Sequence, residues 1–345
     1  MTEEFPRRLA DVRIDWLTKV LGVRVDSVKH DDIGAGKGMM GDIFRLHLGC
    51  SGDADRTIVA KFSADREDLR AAAKRAGIFE REINFYRKIA PVLRCRLPRS
   101  FGTWYDPVTA EFLILMENID ADREVNQVRG VTRSQAELVI KELAALHVPE
   151  ADVSEFHDLF SLVSAPERRA NQTIFVRNGW ESVRRLVPSE ISPNRSCDEM
   201  IELLIGAMDY LSAQPFYLLH GDARPDNLLF STDGGSVALI DWQGVALGPR
   251  EWDIGYFLAQ GLRVEDRRSW MSDLLDLYVS EYSTHGKPPD RRTMETNVGK
   301  AAWFSLGVAC SLFTIADTSR QETIELSTSM AERSLSLLYD LGELS

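Results

Sequence analysis

Two short stretches of the chain carry side chains whose types and spacing suit one reaction. Asp222 lies in Leu219-His220-Gly221-Asp222-Ala223-Arg224-Pro225-Asp226-Asn227, so an amide follows a carboxylate by five residues. A second carboxylate, Asp241, ends the apolar run Ala238-Leu239-Ile240. Phosphoryl transfer asks little covalent chemistry of a protein; it asks for a positioned acceptor and for neutralised charge around the phosphate. On this reading Asp222 orients an attacking hydroxyl and accepts its proton, while Asn227 and Asp241 hold magnesium, a hard cation that takes one or two side-chain oxygens plus phosphates. Taken singly, Asp222 and Asn227 also suit turn caps around Pro225. Their joint spacing carries the reading, not their types.

Such a set needs partners upstream that hold a nucleotide. Thr57-Ile58-Val59-Ala60-Lys61-Phe62 reads as a strand with one lysine inside it. A desolvated ammonium needs a carboxylate or a phosphate, so Lys61 is the candidate contact to the α- and β-phosphates. The alternative is an edge lysine that snorkels to water. The following helical pattern, Arg66 to Ile89, has Phe79, Ile83, Tyr86 and Ile89 on its apolar face. At about 100° per residue, Glu82 falls between Tyr86 and Ile89, whereas Glu80 lies to one side. The helix therefore offers Glu82 as the mate of Lys61, against the alternative of a solvated glutamate.

Ahead of that strand, Gly34, Gly36, Gly38 and Gly41 punctuate a segment that runs into the alternating Phe44, Leu46, Leu48. Glycines let backbone N–H groups approach phosphates, and Gly36 and Gly38 are the candidates here. The spacing matches neither G-x-x-x-x-G-K-[ST] nor a strict G-x-G-x-x-G-x-V, so a plain hairpin explains it as well. After the buried-strand pattern Phe112 to Met116, the segment Glu117-Asn118-Ile119-Asp120 reads as a hinge, with backbone groups at Glu117 and Ile119 available to an adenine edge.

The remaining patterning is helical. An opening helix is expected from Glu3 to Leu21, stopping at Gly22, and another from a Thr132 or Ser134 cap to His147, whose position suits the negative end of the helix dipole. Residues 164–191 read as polar, proline-punctuated helices and loops. Further helices are expected over Met200 to Ser212, from Arg267 onward, around Ala301 to Ile315, and at the C-terminus.

Composition bounds the partners. A formal net charge of -12 opposes nucleic acid and anionic membranes as partners, because both select basic surfaces. No run of eighteen apolar residues is present, and the first residues lack a signal-peptide core, so a cytoplasmic protein is expected. Cys50, Cys95, Cys197 and Cys310 lack C-x-x-C spacing, which argues for free thiols rather than zinc or a disulfide framework.

The chain resembles the aminoglycoside phosphotransferase and choline kinase branch of the protein-kinase-like superfamily. The resemblance rests on Val59-Ala60-Lys61-Phe62, Glu82-Ile83-Asn84-Phe85-Tyr86, Leu143-Ala144-Ala145-Leu146-His147, His220-Gly221-Asp222 through Asn227, Ile240-Asp241-Trp242-Gln243 and Trp252-Asp253-Ile254-Gly255-Tyr256. It implies an α+β bilobal kinase fold: a small antiparallel-sheet lobe over residues 1–117 and a large, mainly helical lobe over 118–345. It further implies ATP, with GTP as an alternative donor, and Mg2+. Asp222 would be the base, Asn227 and Asp241 the metal ligands, His220 a support for the loop, and Asp253 a brace for it. Arg224 departs from the family pattern; it would either neutralise charge on the transferring phosphate or pair locally with Asp226. His-Gly-Asp in place of His-Arg-Asp, the short segment after Asp241 and the missing A-P-E point away from protein substrates. The acceptor is expected to be a small-molecule hydroxyl: an aminoglycoside, macrolide, nucleoside or other antibiotic, with amino alcohols, sugars and steroid-like alcohols as alternatives. A monomer or homodimer is expected. A nucleotide-binding pseudokinase scaffold is the alternative of another class; it would need a broken catalytic set.

Overall fold

Period-two alternation builds the first sheet. In β3 (Arg56–Ser63), Ile58, Ala60 and Phe62 point to one face and Val59, Lys61 and Ser63 to the other. It lies at the centre of a five-stranded antiparallel sheet with β1 (Val25–Asp32), β2 (Gly41–Cys50), β4 (Ser100–Tyr105) and β5 (Phe112–Glu117), in the order β1-β2-β3-β5-β4. Leu46, Leu48, Ile58, Ala60, Phe62, Leu113 and Leu115 form the core on one face, closed by Leu17 of α1 (Ile14–Leu21). The opposite face carries Lys61, which sits across from Ile114 in register. Phe79 of α3 (Ile78–Asn84) packs on Phe112 of that same face, ring centroids 4.7 Å apart.

This computed structural model describes residues 4–34, 41–52, 54–121, 125–148, 159, 161–284, 286–315 and 321–344. The chain divides into two compact units: Met1–Leu93 with Leu97–Asp120 and Asp241–Gly244, and Arg94–Arg96 with Ala121–Ile240 and Val245–Ser345. The second crossing matters, because it assigns Asp241 to the unit that holds the sheet.

Two elements of the first unit differ from expectation. The opening helix begins at Ile14, because the Asp11 carboxylate takes the Arg8 N–H and closes a separate turn over Leu9–Asp11. The helix expected over 66–89 is broken into α2 (Glu67–Arg75), α3 and a π-helical turn, Phe85–Ile89. Gly77 sits between α2 and α3 at φ 62°, a left-handed conformation that ends one helix and redirects the next. The π turn turns Phe85 onto Trp242, stacked at 3.9 Å.

The second unit is built from helices α4 (Arg133–Leu146), α5 (Pro166–Leu186), α6 (Cys197–Ser212), α7 (Glu251–Gly261), α8 (Val264–Tyr282), α9 (Arg291–Ile315) and α10 (Gln321–Asp340). α9 packs against α5, α6, α7 and α10, and α4 packs on α8. α5 is one 21-residue helix where helices and loops were expected. Its buried positions, Gln172, Val176, Gly179, Trp180 and Val183, keep helical spacing, and the polar residues between them only face outward. Thr132 and Ser196 cap α4 and α6 in reciprocal capping boxes with Gln135 and Glu199. Two small ribbons, β6 (Tyr217–Leu219) with β9 (Ala246–Gly248) and β7 (Leu228–Phe230) with β8 (Val237–Leu239), frame residues 220–227. Among the described residues no helix is long and apolar enough to cross a membrane. All four cysteines are free.

Candidate active site

In the first unit, the odd-parity face of β3 delivers Lys61 to two carboxylates. Its ammonium donates to Glu82 Oε1 at 2.7 Å and Oε2 at 2.9 Å, and to Asp241 Oδ1 at 2.9 Å. Lys61 and Glu82 are buried; the Asp241 side chain is 38% exposed. Burial alone would discharge the lysine, but the charges of Asp241 and Glu82 outweigh it and hold the ammonium well above its ordinary pKa. Glu82 is pushed up from the carboxylate range, chiefly by burial, with the Lys61 charge opposing and the Asp241 charge adding to the rise. Gln243, two residues after Asp241, hydrogen-bonds Glu82 and opposes the rise as well. Asp241 itself adopts φ 62°, an uncommon conformation for a residue with a side chain and one that aspartate tolerates.

In the second unit, the loop between β6 and β7 is held by its own backbone. Gly221 takes φ 81°, which a side chain would strain, and so aims consecutive N–H groups at one acceptor. That acceptor is the fully buried Asp253 of α7: Oδ2 takes the His220 N–H at 2.7 Å and Oδ1 the Gly221 N–H at 2.8 Å. The His220 ring gives Nε2–H to the Ile240 carbonyl at 2.9 Å and receives the Asp222 N–H on Nδ1 at 3.3 Å, which assigns its tautomer. Asp253 also meets His147 Nε2 at 3.3 Å, and the Tyr278 hydroxyl lies 2.7 Å from His147 Nδ1. Burial lowers the His147 pKa, with Asp253 opposing, so His147 is a neutral member of a buried network.

Within this loop Asn227 Nδ2 donates to both the carbonyl oxygen and Oδ2 of Asp222, each at 2.9 Å. Arg224 directs Nε toward Asp222 Oδ2 at 3.4 Å and Nη1 to Gln127 Oε1 at 3.4 Å. Burial, with the charge of Asp222 adding to it, pushes the pKa of the buried Tyr256 phenol well above its ordinary value. In each unit one predicted residue keeps an oxygen of the kind a hard cation takes. Asn227 spends its N–H donors on Asp222, so its carbonyl oxygen is the end left to act as a ligand, and Asp241 is a partly exposed carboxylate.

The predicted residues thus gather in two sets: Lys61, Glu82 and Asp241 in the first unit, and Asp222, Arg224 and Asn227 in the second. Gly36 and Gly38 lie outside the described residues. Glu117 ends β5 and gives its N–H to Arg99 O at 2.9 Å, and Ile119 follows it outside any strand. Sequence reasoning missed Gln127, Gln243 and Tyr256. Gln243 and Tyr256 stand inside the quoted motifs, whereas Gln127 carries no sequence signal.

Residues 35–287 match the model of a family described as the ecdysteroid kinase-like family. An uncharacterized kinase-like protein of Caenorhabditis elegans, D1044.1, is 28% identical over 123 residues, covering 34% of this chain and 33% of that protein. The chain thus matches about a third of the length of that relative. A Ralstonia eutropha JMP134 structure described as a candidate aminoglycoside phosphotransferase superposes with a TM-score of 0.61 at 16% identity, covering 94% of this chain and 97% of its own. A choline kinase of Cryptosporidium parvum Iowa II gives 0.55 at 12% identity, covering 92% and 88%. At these identities the likeness is one of fold, the protein-kinase-like α+β fold.

Proposed function

The chain belongs to the ecdysteroid kinase-like family, and on that premise we propose that it transfers the γ-phosphate of ATP to a hydroxyl of a small molecule. The observation that carries this reading is the buried Lys61 ammonium shared by Glu82 and Asp241, at 2.7 and 2.9 Å. A charged lysine so deep is costly, and hydrophobic packing would serve stability as well or better. Its rationale is to present a fixed positive charge to nucleotide phosphates. Glu82 holds that charge in place, and Asp241 is tethered by it.

Asp222 then serves the acceptor. Asn227 and Arg224 restrain its carboxylate, which accepts a hydrogen bond from the attacking hydroxyl and takes its proton as the phosphorus–oxygen bond forms. The proton leaves the acceptor, and the β–γ bridging oxygen departs with ADP. Magnesium, held by Asn227 and Asp241, would neutralise phosphate charge. Arg224 adds a guanidinium to the same loop.

The family description directs the search for an acceptor to steroid-like alcohols before amino alcohols, sugars or antibiotics. The testing experiment is a coupled ADP-release screen with magnesium-ATP, and GTP in parallel, over polyhydroxylated steroids, aminoglycosides, macrolides, nucleosides and amino alcohols. Acceptor-dependent ADP release, with a phosphate ester recovered by mass spectrometry, is the expected outcome. ATP binding with no release across all classes and without water as acceptor would instead favour a nucleotide-binding scaffold.

A further inference from the structure

We propose that Gln127, which nothing in the sequence singles out, is a positioning residue for Arg224. This rests on the reading of Arg224 and Asp222 as parts of a phosphotransferase loop. Gln127 is buried, and its side chain is the last link of a directional relay that begins on α10. Ser334 Oγ donates its one proton to the Met330 carbonyl at 2.7 Å, so toward Gln260 it can only accept. Gln260 Nε2 supplies that donor at 3.0 Å, which turns Gln260 Oε1 the other way. Gln127 Nε2 donates to that oxygen at 3.1 Å, which in turn aims Gln127 Oε1 at Arg224 Nη1, 3.4 Å away.

Reversing either amide would set donor against donor or acceptor against acceptor, so the relay has one polarity. Its anchor is firm as well. Arg333, also buried on α10, donates to the carbonyls of Gln127 at 2.7 Å, Val128 at 2.6 Å and Gln260 at 3.1 Å. The Gln127 acceptor is therefore delivered by buried, paired groups rather than by a free side chain. Its effect is specific. The Arg224 guanidinium already has Nε 3.4 Å from Asp222 Oδ2. Loss of the Gln127 acceptor would let it close further on that carboxylate, over the oxygen that the attacking hydroxyl needs. Gln127 holds the Nη1 end back.

The test compares Gln127→Leu with Gln127→Glu, with magnesium-ATP and water as acceptor. Gln127→Leu should lower kcat about 10- to 100-fold, as ångström-scale misplacement does. KM for magnesium-ATP should stay within about twofold. Gln127→Glu keeps an acceptor for Arg224 and asks Gln260 to turn over and Ser334 Oγ to move its proton from the Met330 carbonyl to Gln260 Oε1, so most of kcat should return. An unchanged kcat in Gln127→Leu, or equal losses in both variants, overturns the proposal. A wild-type protein with no turnover would count against the phosphotransferase reading alone. In that case the Arg224 Nε–H resonance decides: slower exchange in Gln127→Leu than in wild type, as Nε closes on Asp222, supports positioning by Gln127, and identical or faster exchange contradicts it.

Discussion

Lys61 is where the chain accepts an electrostatic cost in order to place a charge. One ammonium faces two carboxylates, one buried and one half-open, at 2.7 and 2.9 Å. The two carboxylates should therefore respond differently to mutation. Lys61→Met leaves both without their cation and should cost about 3–5 kcal/mol in denaturant unfolding. Glu82→Gln, which leaves Lys61 its contact with Asp241, should cost less than half as much. The Lys61→Met deficit should also depend on pH. The Glu82 pKa is already raised above its ordinary value of 4.5 by burial, and loss of Lys61 raises it further. The folded state then binds more protons than the unfolded one between those two values, so stability increases as pH falls through the folded pKa toward 4.5. Urea midpoints at pH 8 and pH 5 measure this; a deficit that grows on acidification contradicts it. The pairing with Glu82 was legible in the sequence, because helical phase puts Glu82 on the apolar face and Glu80 off it. The contact with Asp241 was not derivable from any periodicity, since the two residues are 180 apart in the chain.

At the scale of elements, the loop between β6 and β7 is fixed from α7 as well as by its own His220 and Asn227 side chains. Asp253 gathers two loop N–H groups and His147, and His147 reaches Tyr278 of α8. Only the resemblance pointed to the Asp253 brace; the link onward through His147 to Tyr278 depends on tertiary approach between helices far apart in sequence. The neutral His147 has a consequence for stability. Its folded pKa is lowered below the unfolded value near 6.5, chiefly by burial. The unfolded state therefore binds more protons below about pH 6.5, and stability falls as pH drops through that value toward the folded pKa. His147→Gln should unfold with a shallower loss between pH 7.5 and 5.5 in urea titrations; an unaltered slope would place the acid sensitivity elsewhere. Helix limits were less readable than helix faces. Gly77 breaks the expected helix over 66–89 because it stands at φ 62°. Gly77→Ala should cost about 1–2 kcal/mol, the left-handed penalty for a residue with a β-carbon, read from the thermal midpoint. Residues 164–191 misled for the opposite reason: outward polar residues hid a buried stripe that is regular along all of α5.

At the scale of the whole molecule, the sheet-bearing unit and the helical unit each hold one set of the predicted site residues, and the chain returns to the first unit for only four residues, Asp241–Gly244. The α+β kinase-like class was implied by the resemblance, which rests on the motifs around Lys61, Glu82, Asp222 and Asp241. The acceptor was not legible, since no spacing of residues reports the shape of a pocket. Magnesium-ATP, if bound to the folded state alone, should stabilise the protein by about 2.7 kcal/mol at a hundredfold excess over Kd. That gain should be absent in Lys61→Met, as seen by differential scanning fluorimetry. A full shift in the variant would detach Lys61 from nucleotide binding. The most direct measurement is the kcat of Asp222→Asn beside its nucleotide affinity and melting temperature. A fall of about 10²- to 10⁴-fold, the range for loss of a positioned base, is expected, with affinity and melting temperature retained. Turnover that persists at the wild-type rate in a folded, ATP-binding Asp222→Asn protein would contradict it.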